Sequence, residues 1–198
     1  MSIRARAAAS AALALLACEA AAVAATPPLP KTTSPDLWAT IDVCDTAAHP
    51  DTVGVRGSMP GTGDRRERMY MEFVIEYFDA RSHWHYLRGG QSAFVALGDA
   101  SARSRQGGQN FTVAPGSGKR SVLRGVVVFE WRSGSRTIAT TVRSTTAGHT
   151  ASTGADPRGY SASLCTIPAN RRGSLVITPV TPSAASRRIS AASSTVHG

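Results

Sequence analysis

The stretch RMYMEFVIEYF, Arg68 to Phe78, decides the fold. Met69, Met71, Phe73, Ile75 and Tyr77 alternate with Tyr70, Glu72, Val74, Glu76 and Phe78, a period of two that fits an extended strand and no helix. The glutamates mark the second set as the outer face, so the first set enters the core. A four-residue turn, Asp79 to Ser82, returns the chain through His83 to Arg88. That turn length pairs Phe78 with His83, Tyr77 with Trp84 and Glu76 with His85. Trp84 and Tyr86 then point inward, and His83 and His85 stand on the outer face.

Outward from this segment the pattern repeats. VLRGVVVFEWR (Val122 to Arg132) turns at Ser133-Gly134-Ser135 into RTIATTVRSTT, a hairpin with a glycine-containing loop. Leu123, Val127, Phe129 and Trp131 face one way, and Arg124, Val126, Val128, Glu130 and Arg132 the other. TVGVRGSM, SAFVAL, NFTVA and YSASLCTI supply shorter strands, and no helical period of any length appears between Leu37 and Ile167. About 130 residues bury one core, so one domain is expected over 37–167. Short strands, glycine-rich breaks and the two cysteines within 37–167 predict an all-β, two-sheet, immunoglobulin-like sandwich with one disulfide. The Arg68 segment, the FEWR strand and its hairpin partner are expected to share one sheet.

The ends read differently. Residues 1–25 carry Arg4 and Arg6, then the uncharged run Ala7 to Ala17, then Val23-Ala24-Ala25, the pattern of an export signal cleaved before Thr26. Eleven residues are too few to span a bilayer, which takes about 20. Leu15-Leu16-Ala17-Cys18 offers an alternative, a lipoprotein anchored at Cys18. Residues 26–36 form a Pro/Thr linker. Removal of the signal leaves Cys44 and Cys165, which an exported chain is expected to join as a disulfide. With no free thiol, cysteine catalysis has no candidate. Residues 168–198 read as a disordered tail rich in Ser, Ala and Arg, from which the one apolar patch, Leu175-Val176-Ile177, is expected to stay outside the sandwich. The tail concentrates basic charge at Arg171, Arg172, Arg187 and Arg188 with no acid among them, which favours salt-dependent contact with anionic polymers. Specific nucleic-acid binding is not expected, because no aromatic-basic groove accompanies that charge.

The runs VRGSMPG, RGVVVFEWR and ADPRGYSASLC are similar to those of uncharacterised exported actinobacterial proteins, and the strand layout resembles immunoglobulin-like and fibronectin-III-like domains. The resemblance implies compartment and fold and no chemistry.

Catalytic motifs fare poorly. APGSGKRS (Ala114 to Ser121) lacks the first glycine of a phosphate loop, having Val113 there, and has Arg120 where Ser or Thr is required. Gly57-Ser58-Met59-Pro60-Gly61 is out of register for a nucleophile elbow. Glu72 and Glu76 lie four residues apart on one strand, about 13 Å, too far for paired glycosidase carboxylates. Glu76, His83 and His85, brought together by the four-residue turn, form the one metal-type constellation, and a metal-dependent hydrolase is the enzymatic alternative. No cofactor is expected.

The outer face of the large sheet is the candidate site. Tyr70, Val74, Phe78, Val126 and Val128 alternate there with Glu72, Glu76, Arg124, Glu130 and Arg132, a mixture more apolar than a solvated face requires. It reads as a contact surface for a protein or a flat cell-wall glycan, with a homodimer as the alternative. The competing expectation is that the tail, or a long loop over Gly98 to Gln109, folds across this face and closes it.

Overall fold

A computed structural model describes residues 33–114 and 120–169, and the backbone of 176–179. The described residues form strands and no helix: β1 (Trp38–Cys44), β2 (Thr52–Pro60), β3 (Glu67–Phe78), β4 (Trp84–Gln91), β5 (Val95–Asp99), β6 (Ser104–Ala114), β7 (Ser121–Ser133), β8 (Arg136–Ser144), β9 (Cys165–Ile167) and β10 (Val176–Pro179). One sheet runs β1-β2-β6-β10. The other runs β4-β3-β7-β8, with β5 on the remaining half of β3 and β9 on the first residues of β7. This is an immunoglobulin-like order, in which β10 takes the place of the fourth strand of the smaller sheet.

The alternation read in β3 and β7 is the one the chain folds by. Met69, Met71, Phe73 and Ile75 of β3, with Leu123, Val127, Phe129 and Trp131 of β7, are fully buried against Ile41, Val55 and Phe111 of the facing sheet. Each such side chain contributes about 1.5–3 kcal/mol relative to exposure. The Trp131 indole N–H, which would be costly if left unpaired here, donates to the Pro60 carbonyl at 3.0 Å. Cys44 at the end of β1 is joined to Cys165 at the start of β9, linking the two sheets.

Three expectations are corrected. Val176 and Ile177, the described part of the Leu175-Val176-Ile177 patch, do not stay outside: β10 pairs with β6, Val176 opposite Ala114 and Ile177 opposite Val113. The remainder of the tail, the signal, Cys18 and the linker up to residue 32 lie outside the described residues. The supposed loop over Gly98 to Gln109 is largely β6, which lies in the opposite sheet and covers nothing on the outer face of β3 and β7.

The third correction is the turn after β3. Phe78 pairs with Trp84, Tyr77 with His85 and Glu76 with Tyr86, one residue away from the expected register. The Ser82 N–H donates to the Asp79 carbonyl at 3.2 Å and the Asp79 N–H to the His83 carbonyl at 2.9 Å, with Ser82 in the left-handed region at φ 65°. That is a three-residue loop with a bulge, and the extra residue turns every following side chain to the opposite face.

A long segment does cover one face, but of the other sheet. Residues 146–162 cross the outer side of β1 and β2. The Thr146 N–H donates to the Ala39 carbonyl, Ile41 and Ala162 exchange both backbone bonds, and the Asp156 N–H donates to the Asp42 carbonyl. The Trp38 and His149 rings stack at 4.5 Å. Beneath lie the buried Thr40, Asp42 and Ser58, polar residues hidden by a polar cover.

Candidate interaction face

On the outer side of β3 and β7 the cross-strand register brings Tyr70 opposite Glu130, Glu72 opposite Val128, Val74 opposite Val126 and Glu76 opposite Arg124. All ten residues expected on this face are on it. Val74 and Val126 form its buried centre. On either side lies a cluster of one arginine, one carboxylate and two aromatic rings.

In the first cluster Arg124 Nε donates to Glu76 Oε2 at 2.6 Å, and its guanidinium lies 4.3 Å over the Trp84 ring. Phe78 packs against the same indole at 4.9 Å. In the second, Arg132 Nε donates to Glu130 Oε2 at 2.6 Å, with its guanidinium 4.3 Å from the Tyr70 ring and 4.8 Å from Phe94. Thr137 Oγ1 donates to the other oxygen of Glu130, and Gln91 Nε2 to Glu72 Oε1. Each of the three carboxylates therefore has a donor within the face, and both arginines sit on aromatic faces, a geometry that stabilises by about 0.5–1 kcal/mol at exposed sites.

Sequence reasoning placed Trp84 and Tyr86 in the core, and the register correction brings both to this face. Tyr86 is 74% exposed. The other exposed large apolar residues among those described are Phe78, Phe94, Val142 and Leu164. Phe94 is on this face because its ring meets Arg132. Val142 pairs with Val128, and Leu164 precedes the buried Cys165, so alternation sets both outward. Phe94, Val142 and Leu164 were missed because the alternation read in β3 and β7 does not show which flanking segments lie beside them.

The same correction separates the metal constellation. His85 is opposite Tyr77, stacked on its ring at 5.4 Å, while Glu76 is on the other face and committed to Arg124. His85 Nε2 hydrogen-bonds Asp79 Oδ2 at 2.8 Å, and His83 Nδ1 stands 4.0 Å from Asp79 Oδ1. The N–H groups of His83 and Arg81 also bind Asp79, and its carboxyl is held below the usual range, first by the His83 N–H. Asp79 thus orders the turn. Among the described residues no group of three or more His, Cys, Asp or Glu is placed to hold a metal ion.

The opposite side carries an open depression of about 410 Å³ at the loop Thr150–Gly159, lined by Ser152, Thr153 and Arg158 among others. It lies on the segment that covers the smaller sheet. The disulfide indicates an oxidising, non-cytoplasmic environment. No helix among the described residues is long and apolar enough to cross a membrane. No family model matches the chain, and no curated protein or solved structure matches it.

Proposed function

We propose that the protein is an exported, non-catalytic interaction module, acting at the cell envelope or outside the cell, whose contact surface is the outer face of the β4-β3-β7-β8 sheet. The observation that carries this reading is that all five exposed large apolar residues among those described gather on this one side. Exposed apolar residues scattered singly are ordinary, whereas a gathered set rimmed by charge marks a contact site. The apolar run at the N-terminus and the single disulfide support export.

The chemistry favours a protein partner over a glycan or an anionic polymer. A stacked sugar needs an open ring face, and the Trp84, Tyr70 and Phe94 rings already have a guanidinium on them. An anionic polymer needs unpaired cations, and Arg124 and Arg132 are neutralised by Glu76 and Glu130. Attraction to anionic wall polymers falls to the arginines of the tail, which lie outside the described residues.

The test is retention on isolated cell envelopes at low and high salt, comparing the chain with its Tyr70→Ala, Phe78→Ala double variant. Retention that survives high salt and drops at least about tenfold in the double variant is expected for a specific apolar contact. Retention abolished by salt and indifferent to the double variant would reduce the activity to the tail's electrostatics.

A further inference from the structure

Resting on that reading, we infer that the occupant of the outer face is a second copy of the same chain, related by a two-fold axis that lies in the contact plane and runs along the strands between β3 and β7. Rotation about this axis lays β3 of one copy over β7 of the other without changing its level along the strands. The cross-strand register therefore predicts the contacts. Glu76 is level with Arg124, so each bonded Glu76–Arg124 pair faces the second copy's pair with its charges reversed. Val74 is level with Val126, and this pair, already buried within each chain, marks the centre of the contact. The charges of two such pairs close into a neutral ring of four, a self-complementary arrangement of the kind an isologous contact requires.

The flanks are matched by the same operation, which lays the β4 and β5 row over the β8 and β9 row. Phe94 precedes Val95, the partner of Met71, and so stands at the level of Glu72. Val142 pairs with Val128, which is level with Glu72, so Phe94 meets the second copy's Val142. Tyr86 pairs with Glu76, at the level of Arg124; Leu164 precedes Cys165, the partner of Leu123, and reaches that same level. Tyr86 thus meets the second copy's Leu164. One rotation covers four of the five exposed apolar side chains against one another, and Phe78 falls on the second copy's Val122 end of β7. The other in-plane axis, across the strands through the Val74–Val126 level, would set Phe94 on the second copy's Tyr86 and Val142 on its Leu164, but it lays Glu72 on Glu76, like charge on like charge, and leaves each copy's Arg124 facing an apolar residue.

Size sets the strength. Four rows about 4.8 Å apart and some 30 Å long give a projected area on the order of 600 Å² per copy. Stable interfaces bury about 800 Å² per partner, so this dimer is weak and reversible, in the micromolar range.

Sedimentation equilibrium of the full chain tests this, alongside Tyr86→Lys and Val142→Lys, both at exposed positions. A reversible dimer is expected, with the dissociation constant raised at least about tenfold in each variant and the melting temperature unchanged. Cross-linking tests the axis. In a Cys18→Ser background, mixed Phe94→Cys and Val142→Cys chains should form an intermolecular disulfide on mild oxidation, and neither chain alone should. A wild type that stays monomeric at several hundred micromolar, variants that dimerise as it does, or Phe94→Cys chains linking to themselves would overturn the inference. A monomer whose envelope retention is lost with Tyr70→Ala, Phe78→Ala overturns the second copy as occupant and keeps the interaction face. A monomer that is not retained overturns both. A dimer that is not retained supports the inference and overturns an envelope partner.

Discussion

Asp42 and Arg56 meet at 2.7 Å under the 146–162 segment, with side-chain exposures of 2% and 16%. Burial pushes the Asp42 carboxyl up, and the Arg56 guanidinium pulls it part of the way back. Oδ1 of Asp42 has no hydrogen-bond partner among the described residues, so Arg56 is the charge that makes the ionised form tolerable. Arg56 also reaches the covering segment, donating through Nη1 to Thr153 Oγ1 at 3.3 Å. An aspartate whose folded pKa is raised binds its proton more tightly in the folded state. Its contribution to stability is therefore greatest below its ordinary value and falls as pH rises through the raised one. Arg56→Met removes the downward pull and widens that window. The variant is expected to lose about 3–5 kcal/mol near pH 7, the cost of stranding a buried charge, and to recover part of it as pH falls into the carboxylate range. Urea unfolding of both proteins at about pH 7 and about pH 5 checks the sign. An equal deficit at both values would mean that lost packing of the arginine stem, and not the stranded carboxylate, sets the cost.

The β3–β4 hairpin shows where an element outruns its sequence. Alternation in β3 and β7 was legible because one face of each is fully buried, and burial writes a period of two into the residues. Turn length was not legible. DARSH admits either a four-residue connection or a three-residue loop with a bulge, and the choice lies in Asp79 binding the N–H groups of Arg81 and His83 while Ser82 takes φ 65°. A slip of one residue moved Trp84 and Tyr86 from core to surface and dissolved the Glu76–His85 pairing. Nor was the cover over β1 and β2 legible, since a segment of Thr, Ser, Gly and Asp reads as loop whichever face it crosses. The same hairpin supplies a direct test of the observed turn. Glycine carries no Cβ penalty in the left-handed region, so Ser82→Gly should stabilise by about 0.5–1 kcal/mol. With a four-residue turn Ser82 need not be left-handed, and the substitution would instead destabilise through added chain entropy. The direction of the change in melting temperature decides between them.

At the scale of the molecule the two outer faces have opposite fates, and the disulfide between the sheets holds the end of the segment that closes one of them. The covering segment leaves β8 at Ser144 and ends at Cys165, where the bond to Cys44 fixes it to the end of β1 across a sequence separation of 121. Between these ends it is held by backbone bonds at Thr146, Asp156 and Ala162 and by the Trp38–His149 stack. Its contacts with β1 and β2 are largely polar, and a polar exchange with water leaves a net gain of only about 0.5–1.5 kcal/mol per hydrogen bond. The core between the sheets rests instead on apolar side chains of β3 and β7. Removal of the disulfide by Cys44→Ala with Cys165→Ala should therefore act in two steps. Global stability falls by about 3–5 kcal/mol, as the chain-entropy account gives for so long a loop. Local opening should precede it, because the segment loses its anchor while the core does not. Hydrogen exchange distinguishes this from uniform weakening: the amides of Thr146, Asp156 and Ala162 should lose protection well before those of Phe73 and Val127. Simultaneous loss at all five would show that the cover and the sandwich open as one unit, in which case the closed face is part of the core's cooperativity rather than a layer added to it.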